Sequence, residues 1–318
     1  MPEQSVPVQQ LLWGLVADAA LAFQAVGVPS PGYDAEELAA HALGVPRSGL
    51  RSVQVLDEAA ITRFRAAVVR RQAREPLQHI LGTAAFRHVE VAVGPGVFVP
   101  RPETEVVAGF AIDRAREVVA EGRSPLVVDL CTGSGVIAIS VAGEVPEAIV
   151  HAVEVSEEAL VWARRNVEGS DVRLQAGDAT AAGTLAELDG TVDVVVSNPP
   201  YIPADGVVRD PEVLAYDPAV ALWGNGPDGL GVLRGVAVRA QALLRPGGWF
   251  VVEHADVQGA AVVAALRDQG GWVEAADHRD LTGRDRYAVA RRDAPTSAPT
   301  SAPTSAPTSA PSGDGGDR

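Results

Sequence analysis

Residues 192–201 read Val-Asp-Val-Val-Val-Ser-Asn-Pro-Pro-Tyr, an apolar run that ends in two prolines. The short, β-branched run Val192–Val196 is typical of a buried strand. Consecutive prolines fix φ and lack an N–H group, so the strand must end in a rigid, extended turn. The turn places the Asn198 amide, the Pro199 carbonyl and the Tyr201 ring at a strand's carboxyl end, where open α/β sheets bind their ligands.

These groups are suited to bind a ligand that carries a planar amide or amino nitrogen. An amide or amino group could donate its two N–H bonds to the Asn198 side-chain oxygen and the Pro199 carbonyl, while Tyr201 covers its face. The alternative interpretation is a Pro-Pro turn that only closes the strand. The flanking Asn and Tyr, together with a second motif upstream, favour a binding role.

The second motif follows the predicted strand Leu126–Leu130 and reads Cys131, Thr132, Gly133, Ser134, Gly135. Glycines let the backbone approach a ligand and turn sharply into a helix. Glu154 closes the next strand, where a carboxylate can accept the hydroxyls of a ribose. The loop alone is ambiguous, because Gly133-x-Gly135-x-x-Ala138 with an acid ~20 residues on also satisfies the dinucleotide fingerprint of nicotinamide-dependent dehydrogenases.

Three features speak against a dehydrogenase. The loop lies deep in the chain behind a helical region, and Asp129 precedes the glycines at the strand end. Hydride transfer does not call for Asn-Pro-Pro-Tyr after the fourth strand, whereas methyl transfer to a planar nitrogen does.

From Ser124 onward, strand-like and helix-like runs alternate, which predicts a doubly wound, mainly parallel α/β sheet of seven strands. The predicted strands are Leu126–Leu130, Ile149–Val155, Val172–Leu174, Val192–Val196, Trp249–Glu253, Trp272–Ala275 and Tyr287–Ala290. The predicted helices between them are Val136–Ala142, Glu157–Val167, Leu230–Leu243 and Gln258–Asp268.

The preceding part of the chain is predicted to be helical from Val8 to about Arg74, with Asp34 and Asp57 as caps of the second and third helices. The third helix carries Arg63, Arg65, Arg70, Arg71 and Arg74, which form either a solvated face or a docking surface for an acidic partner. A hairpin then links the two domains, with strand Phe86–Val93, a turn at 94–96 and strand 97–99. Glu103 and Glu105 open a further helix.

The composition of the chain argues against several classes of function. The chain of 318 residues has a net charge of −15, of which the tail from Asp293 supplies −2 (one Arg, three Asp), leaving −13 on the body. An acidic body argues against an extended nucleic-acid surface. The single cysteine excludes an internal disulfide, and no histidine pair has metal-ligand spacing. No membrane span or signal peptide is predicted, so we expect a cytoplasmic protein.

The sequence resembles the release factor glutamine N5-methyltransferases, within the class I S-adenosylmethionine-dependent methyltransferases, from Val8 to Arg292. The most specific stretches are residues 74–82 (Arg-Glu-Pro-Leu-Gln-His-Ile-Leu-Gly), 99–105 (Val-Pro-Arg-Pro-Glu-Thr-Glu), 129–135, 197–203, 228–230 and 252–254 with Gln258. The resemblance implies a Rossmann-like methyltransferase domain (103–292), an N-terminal helical substrate-recognition domain (1–75) and a β-hairpin linker (76–102). An Ala-Pro-Thr-Ser repeat tail (293–318) is expected to be disordered from its composition.

Residue roles also follow from the resemblance. Cys131, Thr132, Gly133, Ser134 and Gly135 would wrap the methionine part of S-adenosylmethionine, Glu154 would hold the ribose, and Asp178 would lie near the adenine. Asn198, Pro199, Pro200 and Tyr201 would bind and orient the substrate glutamine, with Asn198 also beside the cofactor. Cys131 stands where the family usually has Gly, which is expected to require a negative φ.

The implied reaction methylates the glutamine of the Gly-Gly-Gln motif in peptide chain release factors, by a monomer that binds neither membranes nor nucleic acid. Catalysis would rest on alignment of a weakly nucleophilic amide, with no metal and no strong base. Two alternatives stay open: an N-methyltransferase for exocyclic amines of nucleic-acid bases, which needs a basic stripe beside its pocket, and a cofactor-binding docking module without catalysis.

Overall fold

The computed structural model describes residues 7–208 and 210–294. Beyond Ala294 the predicted tail lies outside the described residues. The first part of the chain is helical, as predicted, and comprises α1 Val8–Ala25, α2 Pro31–Leu43, α3 Glu58–Gln72 and α4 Leu77–Leu81. The apolar faces of these helices pack into their own core around Leu12, Phe23, Leu38 and Phe64.

One predicted cap is confirmed and the other is wrong. The Asp57 side chain accepts a hydrogen bond from the Ala60 N–H at the start of α3. Asp34 does not cap α2, because Pro31 starts that helix one turn earlier, with a φ that suits its first position. Asp34 is instead buried inside the first turn and accepts a hydrogen bond from Arg71 Nε at 2.7 Å.

The arginines of α3, together with Arg74, which lies just beyond the end of this helix, are largely engaged within the chain. Arg71 is buried against Asp34 and also contacts Glu212 at 2.9 Å, and Arg74 contacts the same carboxylate at 2.8 Å. Arg70 pairs with Glu75. A docking surface for an acidic partner therefore cannot include the buried Arg71.

The hairpin forms at a different place from the one predicted. Strands β1 Thr83–Phe86 and β2 Val89–Ala92 pair antiparallel around a turn at residues 87–88. Arg87 takes a left-handed φ of 49° there, and its guanidinium is held by Glu144 at 2.6 Å. This long-range ion pair fixes a turn that has no glycine. The glycines at 94 and 96 instead serve close packing on Trp162 and Glu158.

The remaining chain folds into the predicted α/β sheet. Its strands are β3 Leu126–Leu130, β4 Ile149–Glu154, β5 Arg173–Ala176, β6 Val192–Ser197, β7 Leu244–Glu253, β8 Trp272–Arg279 and β9 Asp285–Arg292. The order across the sheet is β5-β4-β3-β6-β7-β9-β8, with β9 antiparallel to both neighbours and the other pairs parallel. The carboxyl ends of the five parallel strands therefore meet at one edge.

Helices α5 Thr104–Ala120, α6 Val136–Glu144, α7 Glu157–Val167, α10 Gly231–Leu243 and α11 Gly259–Gln269 cover the two faces of this sheet. Two short helices, α8 Pro211–Tyr216 and α9 Ala219–Leu222, lie in the segment between β6 and α10. Along β6, Val194 and Val196 belong to the core beneath α5 and α6, whereas Val195 belongs to the core beneath α10 and α11. This alternation follows the two-residue period of a strand and explains why Val194, Val195 and Val196 are all apolar. None of the described helices combines the length and apolar character needed to span a membrane.

Candidate active site

A cavity of about 940 Å³ opens at the carboxyl edge of the sheet. Residues from the ends of β3, β4 and β6 and from the segments after β5 and β6 line it, as ligand sites of open α/β sheets do. The predicted site residues that line the cavity are Cys131, Thr132, Gly133, Ser134, Glu154, Asp178, Asn198, Pro200 and Tyr201. Gly135 and Pro199 do not line it; Gly135 lies directly before the first residue of α6, and Pro199 is buried.

The loop after β3 exposes backbone to the cavity. Gly133 and Gly135 take left-handed φ values of 57° and 84°, and Gly135 precedes the first residue of α6. A Cβ at Gly133 would meet no atom within 4 Å, so this position leaves room for a ligand against the backbone. Thr132 N donates to Val153 O at 2.9 Å, which ties the loop to β4.

Cys131 departs from expectation. Its φ is +63°, so the prediction that a non-glycine residue requires a negative φ here is wrong. The chain holds a Cβ in the left-handed region at this position, which costs about 1–2 kcal/mol. Burial raises the pKa of the Cys131 thiol above its usual range, so the thiol stays protonated.

Asp129 braces the loop from beneath. It is fully buried at the end of β3, and its Oδ2 accepts hydrogen bonds from Thr132 Oγ1 and Ala138 N. Burial raises the pKa of Asp129 to about 7, against the lowering effect of these hydrogen bonds. The carboxyl group thereby joins the loop to the first turn of α6.

Glu154 is the last residue of β4, and Asp178 lies two residues beyond the end of β5. Glu154 Oε2 accepts from Gly133 N at 2.8 Å, and its Oε1 accepts from the backbone N–H groups of Val155 and Ser156. Asp178 is exposed, and its Oδ1 accepts from the N–H and hydroxyl of Thr180. Glu154 thus faces the cavity and also holds the glycine loop in place. The sequence did not indicate this second, structural role.

Asn198 is oriented by a residue that sequence reasoning missed as a site residue. Its Nδ2 donates to Thr104 Oγ1 at 3.3 Å, on the first residue of α5. Because the amide nitrogen is engaged there, the Asn198 oxygen remains as the acceptor at the cavity. The stretch at 99–105 gave the only sequence signal for Thr104.

Backbone contacts fix the Asn-Pro-Pro-Tyr turn. Gln258 is buried, and its Nε2 donates to the carbonyls of Tyr201 and Asp228, both at 2.9 Å. A Cβ added to Gly224 or Gly229 would clash with backbone atoms of residues 200–203. The stretches at 228–230 and 252–258, which had no predicted role, hold the turn in place.

Glu253 lies beneath the turn at the end of β7 and is 1% exposed. The Tyr201 hydroxyl donates to Glu253 Oε1 at 3.5 Å. Burial raises the pKa of Glu253 to about 7, while the Thr104 hydroxyl and the Arg286 charge act in the opposite direction. Sequence reasoning did not single out this carboxyl group.

The wall opposite the glycine loop consists of α8 and α9. Arg101 reaches this wall through an ion pair with Asp217 at 2.7 Å and also lies over the Phe98 ring. Glu212, on the first turn of α8, carries the contacts to Arg71 and Arg74 described above. This wall is therefore attached to the helical N-terminal part of the chain.

Comparisons with known proteins agree with this geometry. Residues 15–82 match the PrmC N-terminal domain, and residues 112–210 match the methyltransferase small domain. The release factor glutamine methyltransferase of Streptomyces coelicolor is 54% identical, over 90% of this chain and 99% of that protein. The chain belongs to the release factor glutamine methyltransferase family. The Mycolicibacterium smegmatis member is 48% identical over 85% of this chain and 94% of its own length.

A third relative has a different name. The 4-amino-L-phenylalanine/4-methylamino-L-phenylalanine methyltransferase of Streptomyces pristinaespiralis is 43% identical over 82% of this chain and 85% of its own length. Its name gives an aromatic amine as its substrate.

Family membership makes the chain an S-adenosylmethionine-dependent methyltransferase and confirms the predicted cofactor class. The residues present fit that cofactor: an open glycine position, a carboxylate at the end of β4 and a cavity of about 940 Å³ accept a nucleoside with a charged amino-acid tail. Among the described residues, no group of three or more acidic, histidine or cysteine side chains could hold a metal ion.

Proposed function

We propose that the chain methylates the side-chain nitrogen of the glutamine in the Gly-Gly-Gln motif of peptide chain release factors. The observation that carries the proposal is the hydrogen bond from Asn198 Nδ2 to Thr104, which leaves the Asn198 oxygen as an acceptor at the cavity. Family membership supplies the substrate class.

Bound S-adenosylmethionine supplies a methyl group on a positively charged sulfur. The chain's own residues supply alignment. A carboxamide nitrogen is weakly nucleophilic because its lone pair is delocalised into the carbonyl. The Asn198 oxygen and the Pro199 carbonyl would accept its two N–H bonds and Tyr201 would cover one face, so that the lone pair points along the line of attack. The same acceptors stabilise positive charge that grows on the nitrogen.

The assigned cofactor contacts belong to this proposal. The backbone of 131–135 would hold the methionine part, Glu154 the ribose and Asp178 the adenine side. Glu154 already accepts three backbone N–H bonds, which leaves one Oε2 lone pair for a ribose hydroxyl in this arrangement. We therefore propose one ribose hydroxyl on Glu154, where the sequence alone suggested both.

The charge around the cavity favours a protein substrate over a nucleic-acid base. Among the described residues that line the cavity, Arg101 is the only basic side chain, and it is paired with Asp217. A nucleic-acid methyltransferase needs unpaired cations for phosphates. The proposal includes a monomer acting in the cytoplasm, release factor recognition by the helical domain, and the boundaries at 75, 102 and 292.

The test is transfer of label from S-adenosylmethionine to a purified release factor. The matched control is the same release factor with its Gly-Gly-Gln glutamine replaced by alanine, and parallel reactions contain 4-aminophenylalanine or an adenine-containing oligonucleotide. We expect label only with the intact release factor. Label on the alanine-substituted factor, or preferential label on the amine or the oligonucleotide, would contradict the proposal.

A further inference from the structure

We propose that Arg101 is a specificity-determining residue that binds a main-chain carbonyl oxygen of the protein substrate beside the target glutamine. The inference rests on the proposed function and deepens it, because it assigns a part of the cavity to the peptide chain that carries the glutamine. It concerns the side of the cavity that is tied to α8 and α9, and not the glycine loop after β3.

Arg101 lies within one turn of the residue that orients Asn198. It lines the cavity, and its main-chain oxygen accepts a hydrogen bond from the N–H of Thr104 at 3.1 Å. Thr104 Oγ1 in turn accepts the hydrogen bond from Asn198 Nδ2 at 3.3 Å. The cavity therefore presents Arg101 and the proposed acceptor of the substrate amide to the same ligand.

Two neighbours hold the Arg101 guanidinium. Its Nη2 donates to Asp217 Oδ2 at 2.7 Å, and its Cζ lies 5.0 Å from the centre of the Phe98 ring. The Asp217 side chain is 1% exposed, whereas the Arg101 side chain is 34% exposed. The buried carboxylate and the ring thus fix the guanidinium, while part of the group stays accessible.

Arg101 has more hydrogen-bond donors than it uses. A guanidinium carries five N–H groups and accepts no hydrogen bond. Among the described residues, the hydrogen bond to Asp217 is the only one that the Arg101 side chain makes. Asp217 accepts it through one oxygen, and its buried Oδ1 has no hydrogen-bond partner in the same part of the chain. Arg101 can therefore donate to a ligand without breaking its ion pair.

The ligand of these donors must be an acceptor, and a neutral acceptor fits best. Asp217 already compensates the charge of Arg101, and Glu154 and Asp178 also line the cavity. A further carboxylate or a phosphate would therefore add negative charge to surroundings that are already acidic. In a Gly-Gly-Gln motif, the neutral acceptors next to the target are main-chain carbonyls, because the two glycines have no side chains.

The carbonyl oxygen of the glutamine side chain itself fits less well. A charged donor on that oxygen would draw the nitrogen lone pair further into the carbonyl and make the nitrogen less nucleophilic. A donor on the main chain leaves the reacting amide untouched. We therefore expect Arg101 to contribute to substrate binding, and hence to KM, and not to the methyl-transfer step.

The experiment measures KM and kcat for methylation of an intact release factor at saturating S-adenosylmethionine. The variants are Arg101→Lys and Arg101→Ala, and affinity for S-adenosylmethionine and thermal unfolding are measured for each. Arg123→Lys is the matched control, because Arg123 is also partly exposed and also pairs with a buried aspartate, Asp193, at 3.0 Å. Arg123 lies shortly before β3 and does not line the cavity.

We expect Arg101→Lys to raise the KM for the release factor about 10-fold, with kcat, cofactor affinity and thermal stability nearly unchanged. Lysine keeps a positive charge beside Asp217 but lacks the planar fork that can donate to Asp217 and to a carbonyl at once. Arg101→Ala should raise KM at least as much and also lower the stability, because it leaves the Asp217 carboxylate buried without a cation. Arg123→Lys should leave KM and kcat at wild-type values.

A wild-type KM in a folded Arg101→Lys variant would mean that Arg101 only compensates the charge of Asp217, and would overturn the inference. A parallel loss of cofactor affinity would assign Arg101 to S-adenosylmethionine, and a fall in kcat alone would assign it to the reacting amide. Either of these results also contradicts the inference. If the wild-type chain transfers no methyl group to the release factor, the proposed function fails, and this inference fails with it.

Discussion

The two walls of the cavity are built in different ways. The cofactor wall consists of the loop after β3 and the ends of β4 and β5, and contacts close in sequence or between adjacent strands hold it, such as Gly133 to Glu154. The opposite wall is α8 and α9, held by side chains far away in the chain, since Glu212 contacts Arg71 across 141 positions. Contacts within the sheet region hold the cofactor wall, whereas contacts with the helical N-terminal part of the chain hold the opposite wall.

Under the proposed function, the two walls have different tasks. A cofactor common to many methyltransferases needs a loop that any sheet of this type can carry. A particular protein partner needs a surface that is specific to this chain. The Asn-Pro-Pro-Tyr turn belongs to neither wall and is held by Thr104 at the start of α5 and by Gln258 just before α11.

The largest effect is expected at that turn. Asn198→Ala removes the acceptor proposed for the substrate amide and should lower turnover by about 10²-fold, as losses of one oriented polar group do. Cofactor affinity should change much less. Asn198→Asp keeps an acceptor but loses the donor to Thr104, so it should lie between wild type and alanine. Single-turnover methylation with saturating cofactor measures all three, and near wild-type turnover of Asn198→Ala would reduce the turn to a structural role.

The cofactor wall should respond through binding. Glu154→Ala deprives three backbone N–H groups of their acceptor and removes the proposed ribose contact. We expect S-adenosylmethionine affinity to weaken by about 1–3 kcal/mol, measured by titration calorimetry. Glu157→Ala, an exposed acid on the first turn of α7, is the matched control. An unchanged affinity in Glu154→Ala would place the ribose elsewhere.

The opposite wall should respond through the protein substrate. Glu212→Ala removes the carboxylate of α8 that pairs with Arg71 and Arg74, while Arg71 keeps Asp34 and the Glu75 carbonyl as partners. We expect the KM for the release factor to rise several-fold, with unchanged cofactor affinity, and stability to fall by about 2 kcal/mol, less than for a fully orphaned buried charge.

Glu36→Ala is the control for this wall, because it removes only an exposed ion pair with Arg47 at 3.3 Å. Its effect on both quantities should be small. If Glu212→Ala lowered the affinity for the cofactor as much as the affinity for the release factor, the prediction that the two walls serve different ligands would be wrong.

Sequence reasoning succeeded where structure is local. The apolar run before Asn198, the glycines at 133 and 135 and the acid at 154 follow from strand, turn and helix preferences, and the parallel topology brings them together. It failed where a partner is distant. Asp34 was assigned as a cap because its partner Arg71 lies 37 positions away, and the hairpin turn at Arg87 depends on Glu144, 57 positions away.

The smallest effect concerns two left-handed positions, two residues apart, within the cofactor wall. Cys131 has a Cβ at φ +63°, and Gly133 has none at φ +57°. Cys131→Gly relieves backbone strain of about 1–2 kcal/mol but gains freedom in the unfolded chain, worth about 0.4–1 kcal/mol, and loses the thiol's packing. We therefore expect its free energy of unfolding, measured by urea titration without cofactor, to change by less than about 1 kcal/mol. Gly133→Ala adds the same strain at a site with open space around the new Cβ, so it should destabilise the chain by about 1 kcal/mol. If Cys131→Gly were the more destabilising of the two, the packing of the thiol, and not the backbone conformation, would account for cysteine at this position.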